Sequence, residues 1–146
     1  MMGATVLVVD DEPSMQRLFR AIMHECGYAV TCVGTTREAE AALAAQRYVG
    51  MLLDYQLPGE DGVAFVTRAA PLMPLPPTLI VTGHDPWPLQ QRALPSCVQA
   101  ILAKPVDMQA IFALAEKHFD RSRSTHGPTD AQRSGSENMR AAAGPR

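Results

Sequence analysis

Four short apolar runs recur along the chain, and each stops on a different polar residue. Residues 6–9 run into Asp10 and Asp11, residues 51–53 into Asp54, residues 79–81 into Thr82, and residues 101–103 into Lys104 and Pro105. Short, continuously apolar runs are the pattern of strands covered on both faces. A further short segment at 28–33 alternates and is rich in β-branched residues. Strands are therefore predicted at 5–9, 28–33, 50–54, 78–82 and 100–103. Between them, apolar residues return at helical spacing. Met15, Leu18, Phe19, Ile22, Met23 and Cys26 share one face of a segment opened by Pro13 and Ser14 and closed by Gly27. Thr35 followed by Glu38 is a capping-box pattern for a helix to about residue 46. A third helix is predicted at 63–72, ended by prolines, and a last one behind Asp107, presenting Ile111, Leu114, Ala115 and Phe119. Pro86, Pro88 and Pro95 leave room for only a short fourth helix, placed at 89–94.

Repeated strand–helix alternation means an α/β domain, a parallel sheet with helices on both faces, and right-handed crossovers leave few topologies. In open sheets of this kind, ligands bind at the carboxyl edge of the strands. Here that edge would gather three carboxylates, a hydroxyl and an amine. Such a set suits a divalent cation and phosphoryl chemistry. A carboxylate meeting a phosphoryl group needs added positive charge, and Mg²⁺ takes hard oxygen ligands.

Composition narrows the picture. The chain has 146 residues, enough for one domain with a real core. The domain is expected over 1–119. Apolar periodicity ends near Asp120, and residues 120–146, rich in Ser, Gly, Thr, Pro and Arg, are expected to be a disordered tail. Net charge is −2, which makes no electrostatic case for nucleic acid. Residues 1–119 carry eight basic and twelve acidic groups, whereas 120–146 carry five and three. Cys26, Cys32 and Cys97 have neither metal-ligand spacing nor an even disulfide set, and read as small apolar residues in a reducing compartment. No leader pattern or membrane-length apolar window is present, so a cytoplasmic location without membrane contact is expected. The starting Met, with no output module after the domain, points to a stand-alone chain.

Taken together, the order of these residues resembles the receiver domain of two-component response regulators, over roughly residues 4–119. The resemblance rests on Asp10-Asp11, Asp54 ending the third strand, Pro58 and Gly62 in the next loop, Thr82 ending the fourth strand, and Lys104-Pro105 after the fifth. It implies a three-layer, doubly wound, five-stranded parallel sheet in the flavodoxin-like order 2-1-3-4-5. Asp54 would accept a phosphoryl group from a sensor histidine kinase or a phosphotransfer protein. Asp11, Asp54 and the backbone carbonyl of Gln56 would bind Mg²⁺, with Asp10 helping to place the ion. Thr82 and Lys104 would bond and neutralise phosphoryl oxygens, and the Lys104–Pro105 peptide would be cis. Output would be protein contact with an unidentified target, with homodimers through the face made by the fourth helix, last strand and last helix.

The chain departs from the family at Ile101, where many receivers carry a switching Tyr or Phe three residues before the lysine. Isoleucine cannot swap between exposed and buried poses as a ring does, so output coupling is expected to be altered. Trp87, the only tryptophan, falls in the proline-rich region beside it. His84, two residues past Thr82, sits at the rim. Two other functions fit parts of the pattern. A degenerate receiver would bind partners without phosphate. A hydrolase of the haloacid dehalogenase type would also use a strand-end Asp, but with a second acid two residues later; after Asp54 this chain has Gln56, and Asp10 followed by Glu12 fits that spacing better.

Overall fold

The computed structural model describes residues 3–120. Ten elements alternate in chain order: β1 Thr5–Val9, α1 Pro13–Glu25, β2 Ala29–Val33, α2 Thr36–Ala45, β3 Gly50–Asp54, α3 Gly62–Ala69, β4 Thr78–Thr82, α4 Trp87–Gln90, β5 Val98–Ala103 and α5 Met108–His118. The five strands form one parallel sheet in the order β2-β1-β3-β4-β5, as expected. Among the described residues, no helix is long and apolar enough to cross a membrane. Beyond Asp120, the expected tail lies outside the described residues.

Strand alternation divides the core into two clusters. Val6, Val8, Leu52, Leu79 and Val81 face α1 and α5, meeting Phe19, Ile22, Met23, Ile111 and Phe119. Leu7, Val9, Met51, Leu53 and Ile80 face the other way, onto Ala39 of α2 and Val63, Phe65, Val66 and Ala69 of α3. β1, β3 and β4 are buried along their whole length, which explains their unbroken apolar sequences.

Local chemistry sets the ends. Gly27, at φ 92°, turns the chain out of α1 in a conformation that strains any residue with a side chain. Thr35 accepts from Glu38 N–H at 3.0 Å, while Glu38 reaches back to Gly34 N–H at 2.8 Å, one residue before the usual return partner. Asp61 caps α3 through Ala64 N–H at 2.7 Å, so the helix begins at Gly62, one residue early. Pro71 has no N–H to continue it, and α3 ends at Ala69 rather than 72.

Two boundaries depart further. α4 occupies Trp87–Gln90, not 89–94. The prolines begin this helix instead of excluding it: Pro88 lies in the first turn, where a missing N–H costs nothing, and Asp85 accepts from Trp87 N–H at 3.0 Å. β5 starts at Val98, two residues earlier than expected. Thr78 pairs with Val98 and Leu79 with Ala100, leaving Gln99 as an extra residue that breaks the apolar pattern.

Candidate phosphoryl and metal site

The carboxyl ends of β1, β3, β4 and β5 converge. Asp10 is the first residue after β1, held by its N–H to Val33 O at 3.0 Å. Asp54 is the last residue of β3 and Thr82 the last of β4. Lys104 follows β5 and donates its backbone N–H to Thr82 O at 2.7 Å. The Lys104–Pro105 peptide is cis. The loop behind Asp54 closes tightly over the strand end. A Cβ on Gly62 would lie 2.6 Å from Asp54 O, and Gly62 N–H donates to Tyr55 O at 2.9 Å. Only glycine permits this approach of α3 to the end of β3.

The acidic residues come together as the strand ends suggest. Asp10, Asp11 and Asp54 each offer a carboxylate oxygen within 4.8 Å of the others. Asp10 is fully buried, Asp54 nearly so, and Asp11 exposed. Lys104 Nζ lies 3.2 Å from Asp54 Oδ1 and 3.8 Å from Asp10 Oδ2. Asp10 Oδ1 accepts from Glu12 N–H at 2.9 Å. That bond tightens the approach to α1, whose N-cap, Glu12, makes no side-chain cap bond.

Asp10 Oδ2 is buried without a hydrogen-bond donor. A buried carboxylate oxygen in that condition is costly unless a cation stands by. Burial, with Asp54 beside it, pushes the Asp10 carboxyl up to about 6, against the pull of the Glu12 N–H and Lys104. Burial also raises Asp54, opposed chiefly by its hydrogen bond from Lys104 and by the Gln56 N–H. The cluster thus holds more negative charge than one ammonium balances, and the residues fit a divalent cation.

Thr82 is fully buried, and its Oγ1 accepts from His84 N–H at 3.0 Å and from Gln56 Nε2 at 3.2 Å. The sequence expectation for Gln56 as a ligand concerns its backbone carbonyl, not this side-chain contact. No spacing rule signals it, because it joins two loops through the pairing of β3 and β4. Ile101 is buried in the α2–α3 core cluster, against Ile80 in register, and its carbonyl accepts from Gln90 Nε2 at 3.4 Å. Trp87 is 62% exposed. His84 is exposed at the rim, and His24 and His118 lie away from the strand ends on α1 and α5. Among the described residues, Cys26, Cys32 and Cys97 form no disulfide.

A family model described as the response regulator receiver domain matches residues 6–116. The transcriptional regulatory protein PmrA of Pectobacterium parmentieri is 36% identical over 112 residues, covering 76% of this chain and 47% of that protein. The chain spans about half the length, or less, of the curated relatives it matches. A sensor protein from Polaromonas sp. JS666 superposes with a TM-score of 0.73 at 20% identity, over 79% of this chain and 94% of the other, a likeness of fold. The receiver domain of the sensor histidine kinase PA1611 from Pseudomonas aeruginosa PAO1, solved with a magnesium ion coordinated in its active site cleft, is 26% identical. Its TM-score is 0.66, over 80% of this chain and 97% of that one.

Proposed function

Because this chain belongs to the response regulator receiver domain family, we propose that Asp54 is its phosphoryl acceptor and that phosphorylation switches its contacts with other proteins. Receiver domains are phosphorylated on an aspartate, bind Mg²⁺ at an acidic pocket, and interact with sensor histidine kinases and downstream effectors. The observation that carries the reading is the convergence of Asp10, Asp11 and Asp54 beside the Lys104 ammonium.

In this reading Asp54 attacks the phosphorus of a phosphohistidine, the P–N bond breaks, and an acyl phosphate forms on Asp54. Asp11, Asp54 and the Gln56 carbonyl hold Mg²⁺, and the buried Asp10 places it. When bound, the ion supplies the positive charge that lets a carboxylate approach a phosphoryl group. Lys104 neutralises one phosphoryl oxygen, and Thr82 donates to another. The phosphoryl source is a sensor histidine kinase or a phosphotransfer protein in the cytoplasm. The chain works as a signalling module, not a turnover enzyme.

Output leaves through the face of α4, β5 and α5, as protein contact or homodimerisation. Ile101, buried and carrying no ring, makes that output differ from receivers with a switching aromatic. The exposed Trp87 on α4 favours a contact there. A hydrolase reading centred on Asp54 lacks its second acid: Gln56 occupies that position, and its amide is engaged with Thr82 and Gly83.

The test is intact-mass spectrometry after incubation with acetyl phosphate and Mg²⁺. The parent is expected to gain one phosphoryl group and Asp54→Asn none. A parent without adduct favours a phosphate-independent binding module. Multiple turnover of small phosphoesters favours a hydrolase.

A further inference from the structure

Gln56 stands two residues past Asp54 and touches the site twice. Its backbone N–H donates to Asp54 Oδ1 at 3.4 Å. Its side-chain amide crosses to the neighbouring strand end, where Nε2 donates to Thr82 Oγ1 at 3.2 Å and Oε1 accepts from Gly83 N–H at 3.2 Å. The Gly83 contact sets the direction of the Thr82 contact. A backbone N–H only donates, so the amide carbonyl faces Gly83 and the NH₂ faces Thr82. Thr82 Oγ1 also accepts from His84 N–H at 3.0 Å. A hydroxyl oxygen has two acceptor lone pairs and one proton. With both lone pairs engaged, and the side chain fully buried, the remaining capacity of Thr82 is to donate.

We propose that Gln56 is a positioning residue that presets the Thr82 hydroxyl as a donor for the phosphoryl group on Asp54. The inference rests on the reading of Asp54 as acceptor. A hydroxyl whose lone pairs are already engaged has only its proton left to offer as charge develops, and such preorganisation is where polar groups contribute most to a transition state. The amide is specific for this task. A carboxylate at position 56 would still accept from Gly83 N–H, but it would draw the Thr82 proton to itself, reversing the bond.

A double-mutant cycle on the full chain tests this, with acetyl phosphate and Mg²⁺ and the rate of adduct formation read by intact mass. Gln56→Ala is expected to slow phosphorylation about fivefold, the effect of one neutral hydrogen bond, and to have no effect in a Thr82→Val background. Gln56→Glu is expected to be slower than Gln56→Ala when Thr82 is present, with the gap shrinking in Thr82→Val. A second readout needs neither metal nor phosphate: the Gly83 amide proton resonance moves upfield in Gln56→Ala and stays bonded in Gln56→Glu. Equal slowing by Gln56→Ala in both backgrounds, or slowing in neither, overturns the inference while leaving Asp54 as acceptor. A parent that gains no phosphoryl group takes down both.

Discussion

The Lys104 ammonium lies 3.2 Å from Asp54 Oδ1, although the strands that carry the two residues are separated by β4. Its side chain spans the end of that strand, and at 3.8 Å it reaches Asp10 on β1, one strand further. One cation thus faces two buried carboxylates. Removing it leaves both without their counter-charge. Lys104→Met is expected to lower stability at neutral pH by about 1–3 kcal/mol, less than a fully enclosed pair because the lysine is partly exposed. The loss shrinks toward about pH 5, below the Asp10 value of about 6, as that carboxyl takes up a proton. Urea unfolding without metal, at both pH values, measures it; unchanged stability at neutral pH would count against the pairing.

Asp10 carries its own pH signature. Its carboxyl titrates at about 6 in the folded protein against 3.8 as a free side chain. The folded state therefore binds more protons between those values, so stability is highest below the lower one and falls as pH rises through the upper one. With EDTA present, the Asp10 share of that fall is on the order of 3 kcal/mol. Asp54, raised in the same direction, adds to it. Asp10→Asn is expected to flatten the slope between about pH 4.5 and pH 7.5 and to be more stable than the parent at the upper end. A parent whose stability rises across that interval, with no change on substitution, would contradict the burial of a charged Asp10.

Mg²⁺ is expected to reverse that penalty. An ion that binds only the folded state stabilises by about 2.7 kcal/mol at a hundredfold excess over its dissociation constant. Asp11 is exposed and bears little on packing, so Asp11→Asn should match the parent in EDTA and lose most of the gain with Mg²⁺. Thermal unfolding of both proteins, with and without the ion, decides this. An equal gain in the variant would remove Asp11 from the ligand set.

Gly62 tests the backbone frame of the site. A methyl there meets the Asp54 carbonyl oxygen at 2.6 Å, and neither partner is a flexible side-chain tip. Gly62→Ala is expected to destabilise by about 1–3 kcal/mol through forced backbone displacement. It should also slow phosphorylation of Asp54, whereas Gly59→Ala, with open space around its Cβ position but φ 82°, should affect stability alone. A Gly62→Ala protein as stable as the parent would show that α3 can shift away from β3 without cost.

Much of the architecture was legible because burial on both faces leaves a mark on sequence. β1, β3 and β4 enclose their apolar runs with at most one residue to spare at either end. The caps at Thr35 and Asp107 were equally visible, since a side chain bonding the backbone two or three residues ahead is a local event. The misplaced elements failed for stated reasons. Prolines predict a break in the α4 region, yet the first turn of a helix tolerates them. At β5, the bulge at Gln99 breaks the alternation that would have marked the strand's start.

The amino-acid order alone determined which polar residue closes each apolar run, and parallel strand pairing then obliged those residues to share one edge. What it could not determine was their electrical condition. That Asp10 is sealed from water with an oxygen lacking a donor, that Lys104 reaches across two neighbouring strand ends, and that the Gln56 amide occupies a lone pair of Thr82 depend on distances between loops. Those distances follow from the pairing of the strands and from α3 seating through Gly62 against the end of β3, and only the packed tertiary structure settles them, because burial and charge proximity are properties of neighbours in space.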